Sequence, residues 1–462
     1  MTITPNNPPK SPLRSIDQEG FGYTTATYRW PIIITKTIDD IYKTRYELDP
    51  IKDKEKSNEA KEIMNSLGTM KYEMQRKRVL TPIEDDGESD VKSWNDTLNT
   101  YFHGENWYSA TWLFVECYLY RRMHSAFAKS KHWKNYDPFF RQKEDTFKAS
   151  FKSVARLAKR FEELLSKRVI IDVNNKNPKD DDNQILFYEL VQLSLWGNAT
   201  DLSLLTNLTH DDISNLQNSD SKNLEKYILD NNLKEAWNKI SNHQNMRIDF
   251  ILDNAGFELY GDLIFADWLI QSGHASEIHL HVKKIPWFVS DTTEFDFKWL
   301  LNVLKDSHFF SSHSTSVEEN NHNYLQSLTE LSNRWEDYLK KQIWVIKSDW
   351  FWTSPYSYWH IKEIAPDLFN DLKNSSLIIF KGDLNYRKLV YDCKWPTTTS
   401  FKEAIGPLAN EIGVPSILAL RTSKADVIVG LPDGLEEHLN NTEKDWMYSG
   451  KYAVIQFNEG TK

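Results

Sequence analysis

Only two cysteines, Cys117 and Cys393, occur among 462 residues. Two thiols cannot build a disulfide framework, and theirs is not a paired zinc-ligand spacing, so both read as reduced structural thiols. No run of about 18 apolar residues is present to cross a bilayer. The opening MTITPNNPPKSPLRS also lacks the apolar centre of a secretion signal. The expectation is a cytoplasmic protein, with the nucleus a second compartment, and N-x-Ser/Thr triplets such as Asn198-Ala199-Thr200 are then chance matches. Basic residues number 56 against 66 acidic ones, a net charge of -10, which gives no broad attraction to nucleic acid. Several signatures are missing: the G-x-x-x-x-G-K-[ST] phosphate loop, the G-x-G-x-x-G dinucleotide loop, H-E-x-x-H and the G-x-S-x-G nucleophile elbow.

Aromatic residues, by contrast, are abundant: 17 Trp, 21 Tyr and 23 Phe. They supply large cores, and the length calls for two packed regions. Residues 1–20, rich in Pro and Asn, read as a disordered tail. Residues 21–245 read as a helical domain. Within it Trp112, Val115, Leu119 and Met123 repeat at three- and four-residue steps, and Arg121-Arg122 read as a solvated helix end. Asn174–Asp182 reads as a polar loop, and helical spacing resumes over Ile185–Leu195.

The pattern changes at residue 246. Short Ile- and Val-rich runs follow: IDFIL (248–252), IHLHV (278–282), IWVI (343–346), SLIIF (376–380), SILAL (416–420), DVIVG (426–430) and YAVIQF (452–457). They suit buried strands, and Phe257–Ser272 is long enough for a crossover helix. The predicted fold class is α/β: an α/β/α sandwich with a mainly parallel mixed sheet over 246–462, preceded by the all-helical region. An antiparallel pair fits among the closely spaced final strands, and Ser311–Asn323 reads as an exposed insertion.

In open α/β sheets ligands bind beyond the carboxyl ends of the strands. The first run leads into Asp253-Asn254-Ala255-Gly256, with Glu258 opening the next helix. Two readings stand for Asp253 and Asn254, a helix cap or oxygen ligands for a hard cation. The second run leads to Asp291, a third oxygen donor from the neighbouring strand. After SLIIF comes Lys381-Gly382-Asp383-Leu384-Asn385-Tyr386-Arg387-Lys388. There an arginine fork suits phosphate oxygens, and Asp383 and Asn385 suit sugar hydroxyls; the plainer reading is a solvated charged loop. SILAL ends in Arg421-Thr422-Ser423-Lys424, where Lys424 offers a point positive charge for a phosphoryl group. His279 and His281 share one strand face, as a metal pair or as packed histidines. Trp196–Asp201 interrupts a helical stretch with turn residues, either to approach the site or to cap a helix.

The strings LDNAGFELYGDL (252–263), KGDLNYRKL (381–389) and RTSK (421–424) resemble the metal-dependent damage-control phosphatases, in the eukaryotic branch with an Arg-Thr-x-Lys motif. SLWGNATDLSLL (194–205) and RWPIII (29–34) resemble its fungal members. The resemblance implies a helical domain joined to an α/β/α domain. It implies metal ligation by Asp253, Asn254 and Asp291, and substrate contacts from Glu258, from Asp383, Leu384, Asn385, Tyr386 and Arg387, and from Arg421 and Lys424. Asp253, Glu258 and Lys424 are the catalytic candidates. The implied cofactor is Mn, Co, Ni or Mg, and the implied substrates are small sugar phosphates such as fructose 1-phosphate and fructose 6-phosphate. The human relative has also been described as an S-adenosylmethionine-dependent glutamate O-methyltransferase. That activity is the rival reading, although a single glycine in Asp253–Gly256 makes a poor nucleotide loop. A non-catalytic sensor of phosphorylated metabolites is the other rival. Whether an activated water or Asp253 itself attacks phosphorus stays open, and the sequence sets no oligomeric state.

Overall fold

The computed structural model describes residues 2–166, 180–197, 224–309 and 318–462. Seven strands form one sheet: β1 (Ile228–Asn231), β2 (Met246–Ile251), β3 (Ala275–Val282), β4 (Trp344–Ser348), β5 (Leu377–Lys381), β6 (Ser416–Thr422) and β7 (Ala453–Asn458). Their order is β1-β7-β6-β5-β2-β3-β4, parallel throughout except for the antiparallel β6–β7 pair. From β2 the chain winds outward through β3 and β4, and it returns on the other side of β2 as β5 and β6. This reversal is the switch point where α/β sheets open a ligand crevice.

Strand alternation divides the molecule into two cores. Ile248, Phe250, Leu252, Leu377 and Ile379 point into one. It is closed by α6 (Phe151–Ser166), α7 (Asp180–Trp196), α8 (Leu233–Ser241), α9 (Phe257–Gln271), α10 (Glu294–Val303) and α11 (Glu318–Lys340). Ile251, Ile378 and Phe380 point to the other face, packed with Trp30, Trp94 and Trp112 of the amino-terminal helices. Those helices are α1 (Trp30–Tyr46), α2 (Lys54–Gln75), α3 (Val91–Tyr101) and α4 (Trp112–Ala128), while α5 (Phe140–Ala149) places Phe147 in the first core. The helical half therefore shares its core with the sheet.

Several expectations change. Residues 2–20 do not trail free: Trp112 N donates to Leu13 O at 2.8 Å, Lys394 N donates to Ser11 O at 2.8 Å, and Leu13 and Ser15 are buried. Backbone hydrogen bonds tie this segment down, which a composition rich in Pro and Asn does not reveal. Arg121 is no solvated helix end, being fully buried between Asp86 and Asp90 at 2.7 Å from each. Residues 426–430 are not a strand. Their polar groups are met by side chains instead, with Arg421 donating to Val427 O and Gln456 to Val429 O. Asp180–Asp182 begin a helix rather than ending a loop, and Glu318–Asn323 are helical. The rest of Asn174–Asp182 and of Ser311–Asn323, and Asn198–Asp201, lie outside the described residues.

Candidate active site

Two loops leave the carboxyl ends of β2 and β3 and zip together. Thr292 N donates to Asp253 O at 2.7 Å, Ala255 N donates to Ser290 O at 2.8 Å, and Asn254 and Asp291 form an isolated bridge. This pairing sets Asp291 beside Asp253, although 38 positions separate them in the numbering (291 − 253). Glu258 joins from the first turn of α9, whose start Gly256 makes with φ of +75°. The β3 loop is strained where it approaches, with Phe288 at φ +44° and Val289 at φ +72°. A β-branched residue adopts that region only when its surroundings force it. The forcing contacts are Tyr120 of α4, stacked on Phe288 at 4.6 Å, and Lys143 of α5, whose Nζ donates to Asp291 O at 3.0 Å and Asp296 Oδ2 at 2.7 Å.

Asn254 organises the carboxylates: its Nδ2 donates to Asp253 Oδ2 at 2.6 Å and to Glu258 Oε2 at 2.7 Å, while its Oδ1 accepts from Ser290. Asp253, Glu258 and Asp291 are all buried. Burial above all, then Glu258 and Asp291, pushes the Asp253 carboxyl well above the ordinary carboxylate range. Burial also raises Asp291 to about 6, against the opposing pull of Lys283, whose Nζ lies 3.4 Å from Asp291 Oδ2. Asp291 Oδ2 accepts no closer hydrogen bond among the described residues. Buried, mutually repelling carboxylates with an orphaned oxygen have the donor set of a hard divalent cation.

A family profile described as "Damage-control phosphatase ARMT1-like domain" matches residues 25–439. The chain belongs to this family. Proteins named "Damage-control phosphatase ARMT1" are similar to it over almost their whole length. The Homo sapiens protein is 35% identical over 460 residues, covering 96% of this chain and 98% of its own. The Rattus norvegicus protein is 34% identical over 458 residues, with the same two shares. A crystal structure of a DUF89 family protein from Pyrococcus horikoshii aligns with a TM-score of 0.37 at 14% identity, covering 80% of this chain and 88% of that one. At that level it adds nothing to the assignment.

The KGDLNYRKL segment is not a loop. Lys381 ends β5, and the rest forms a buried helix, α12 (Gly382–Leu389). Its residues divide by role. Asp383 accepts from Arg421 Nε at 2.8 Å and from Lys424 N at 3.0 Å, tying α12 to the Arg421–Lys424 turn. Lys424 carries its charge close enough to lower the proton affinity of Asp253. Its ammonium has no hydrogen bond or ion pair among the described residues. The other expected substrate contacts are engaged elsewhere. Asn385 Nδ2 donates to Ile251 O, Leu252 O and Lys381 O, holding the end of β2, and its Oδ1 accepts from Tyr358. Leu384 is buried. Tyr386 lies under the Arg421 guanidinium at 4.4 Å, and Arg421 is spent on Asp383, Ala425 O and Val427 O.

Arg387 is held by two carboxylates and an aromatic ring. Its Nε and Nη2 donate to Asp392 at 3.0 and 2.9 Å, its Nη1 donates to Glu116 at 2.6 Å, and the guanidinium lies 3.9 Å from the Trp112 ring centroid. Three of its five N–H donors are thereby engaged by buried carboxylates. Arg387→Met strands two buried carboxylates, so the expected loss is on the order of 3–5 kcal/mol of stability. In the fraction that folds, KM for a phosphate ester stays unchanged. A raised KM with an unchanged melting temperature would restore the phosphate role.

The histidine pair is tied to its neighbours by hydrogen bonds. Trp352 Nε1 donates to His281 Nδ1 at 3.3 Å, so His281 carries its proton on Nε2, directed at Asp249 Oδ2 at 3.1 Å. Arg247 takes both Asp249 oxygens at 2.9 and 2.8 Å. Ligand atoms of Asp249, His279 and His281 converge within 4.8 Å, and the Asp249 carboxylate among them is held by the Arg247 guanidinium. Sequence reasoning passed over Lys283, Lys381, Asp262 and Lys143 at the site. The available signal was a lysine placed where strand alternation demands a buried side chain, as at Lys381 after Leu377 and Ile379.

Proposed function

We propose that the protein is a divalent-metal-dependent phosphatase of small phosphorylated metabolites, with sugar phosphates such as fructose 1-phosphate and fructose 6-phosphate as its substrate class. The observation that carries this reading is the buried Asp253, Asn254, Glu258 and Asp291 cluster at adjacent strand ends, with the Lys424 charge directed toward it, in a chain of the damage-control phosphatase family. Asp253, Asn254 and Asp291 would hold the cation, which when bound supplies electrophilic polarisation of the phosphoryl group. Lys424 neutralises phosphoryl oxygens from the opposite side. The amino end of α12 starts against Asp253, and its aligned peptide dipoles favour the anion there. Glu258 orients a water for attack on phosphorus.

The test is phosphate release from fructose 1-phosphate by metal-stripped protein resupplied with Mg, Mn, Co or Ni. Metal-dependent release is the expected result. No release with any metal across a panel of phosphate monoesters would sink the reading. It would leave methyl transfer from S-adenosylmethionine to a protein carboxyl, or substrate binding without turnover, as the activities to assay.

A further inference from the structure

Glu258 is held from behind by a lysine buried in the sheet. Strand alternation turns Lys381, the last residue of β5, to the face covered by α7 and α9. Its side chain is 1% exposed. An ammonium group has three protons and no acceptor, and here each proton has a partner. They are Glu258 Oε1 at 3.1 Å, Asp262 Oδ1 at 2.9 Å, and the carbonyl of Ser194. Three acceptors on two helices (Glu258 and Asp262 on α9, one turn apart, and Ser194 on α7) fix the ammonium as a tripod. Ser194 Oγ closes the ring by donating to the same Asp262 oxygen. The other Asp262 oxygen is buried without a hydrogen-bond partner, and burial raises that carboxyl to about 6. α7 packs so tightly here that a Cβ on Gly197 would lie 2.9 Å from Glu258 Cα.

We infer that Lys381 is a positioning residue for the reaction: with Asp262 and Ser194 behind it, it pins one Glu258 oxygen so that the other stays on Asn254 and faces the reacting phosphate. The inference rests on the active-site reading given above. Lys381 meets neither cation nor substrate, and it acts only through Glu258. A buried ion pair of this cost is weak as a device for stability alone. Its geometry serves the carboxylate that a water-orienting role needs held to within a few tenths of an ångström.

The test is a double-mutant cycle read by metal-dependent phosphate release. Lys381→Met should lower kcat on the order of a hundredfold, the lower end of what a placed acid-base group supplies, with KM changed by less than about threefold. In a Glu258→Gln background the same substitution should lower kcat by less than about threefold, because residues that act as one unit are non-additive. Multiplicative losses would overturn the inference. Lys381→Met leaves the Asp262 carboxylate without its cation, so Lys381→Met/Asp262→Asn is measured beside it. Stability should return in the pair while kcat stays low, and recovery of kcat along with stability would reduce Lys381 to a structural role. A wild type without metal-dependent release, or a fully active Glu258→Gln, strikes the site reading itself. An active wild type with an impaired Glu258→Gln and multiplicative losses strikes only Lys381.

Discussion

Asp253→Asn loses metal-dependent phosphate release, by roughly a thousandfold in kcat, while the metal-free variant melts no lower than the metal-free wild type. The two halves of this expectation come from one arrangement. Asp253 is buried against Glu258 and Asp291, and its carboxyl is pushed up because a charge there is desolvated and repelled. Replacing it with a neutral group of the same shape removes repulsion without opening a cavity. Loss of stability with retained metal-induced stabilisation would defeat the prediction, since it would make Asp253 a structural residue.

The pH dependence has a definite sign. A carboxyl whose proton affinity is raised by folding contributes stability below its ordinary value and loses it as pH climbs through the folded value. For Asp291 that window runs from 3.8 to about 6. The metal-free wild type therefore gives up stability across it, and a bound divalent cation returns what was lost. The rise in melting temperature on adding Mn or Mg should accordingly grow between pH 4 and 7 in wild type and shrink in Asp253→Asn.

Much of the frame is legible in the chain because buried strands write themselves as short apolar runs. The runs at 248–252, 278–282 and 416–420 became β2, β3 and β6, and their carboxyl ends carry Asp253, Asp291 and Lys424. The failures have physical causes. β1, with only Ile228 and Leu229 apolar in Ile-Leu-Asp-Asn, is an edge strand half out of the core, so its run is too weak to see. The 426–430 run is as apolar as a strand, yet Tyr386, Arg421 and Gln456 take its backbone groups, and no local pattern announces that. Arg387 looks like a phosphate ligand because it lies in a charged segment near a strand end. Only the three-dimensional structure shows that, one turn along α12, its side chain leaves the strand edge for Glu116 and Trp112 of α4. Lys381 was hidden by the opposite effect, a charge in a buried strand position whose partners come from α7 and α9.

Gly382→Ala should abolish activity as fully as Asp253→Asn and also destabilise the fold. A Cβ at Gly382 would lie 1.9 Å from Asp253 Oδ2 and 2.1 Å from its Cγ, with backbone φ at +82°. The carboxylate cannot step aside freely. Asn254 Nδ2 holds Oδ2, and Thr292 N holds the Asp253 carbonyl. Either Asp253 or the start of α12 must move, and both belong to the site. Strain and collision can be separated, because Gly434 has φ of +80° with nothing within 4 Å of its Cβ position. Gly434→Ala should therefore cost about 1–2 kcal/mol from backbone strain alone and leave kcat intact. Gly382→Ala adds about 1–3 kcal/mol of overpacking and displaces the Asp253 carboxylate proposed to hold the cation. If Gly382→Ala instead matched Gly434→Ala in stability and kept full phosphate release, Asp253 would have room to rearrange. The close approach of α12 to that carboxylate would then have no part in the chemistry.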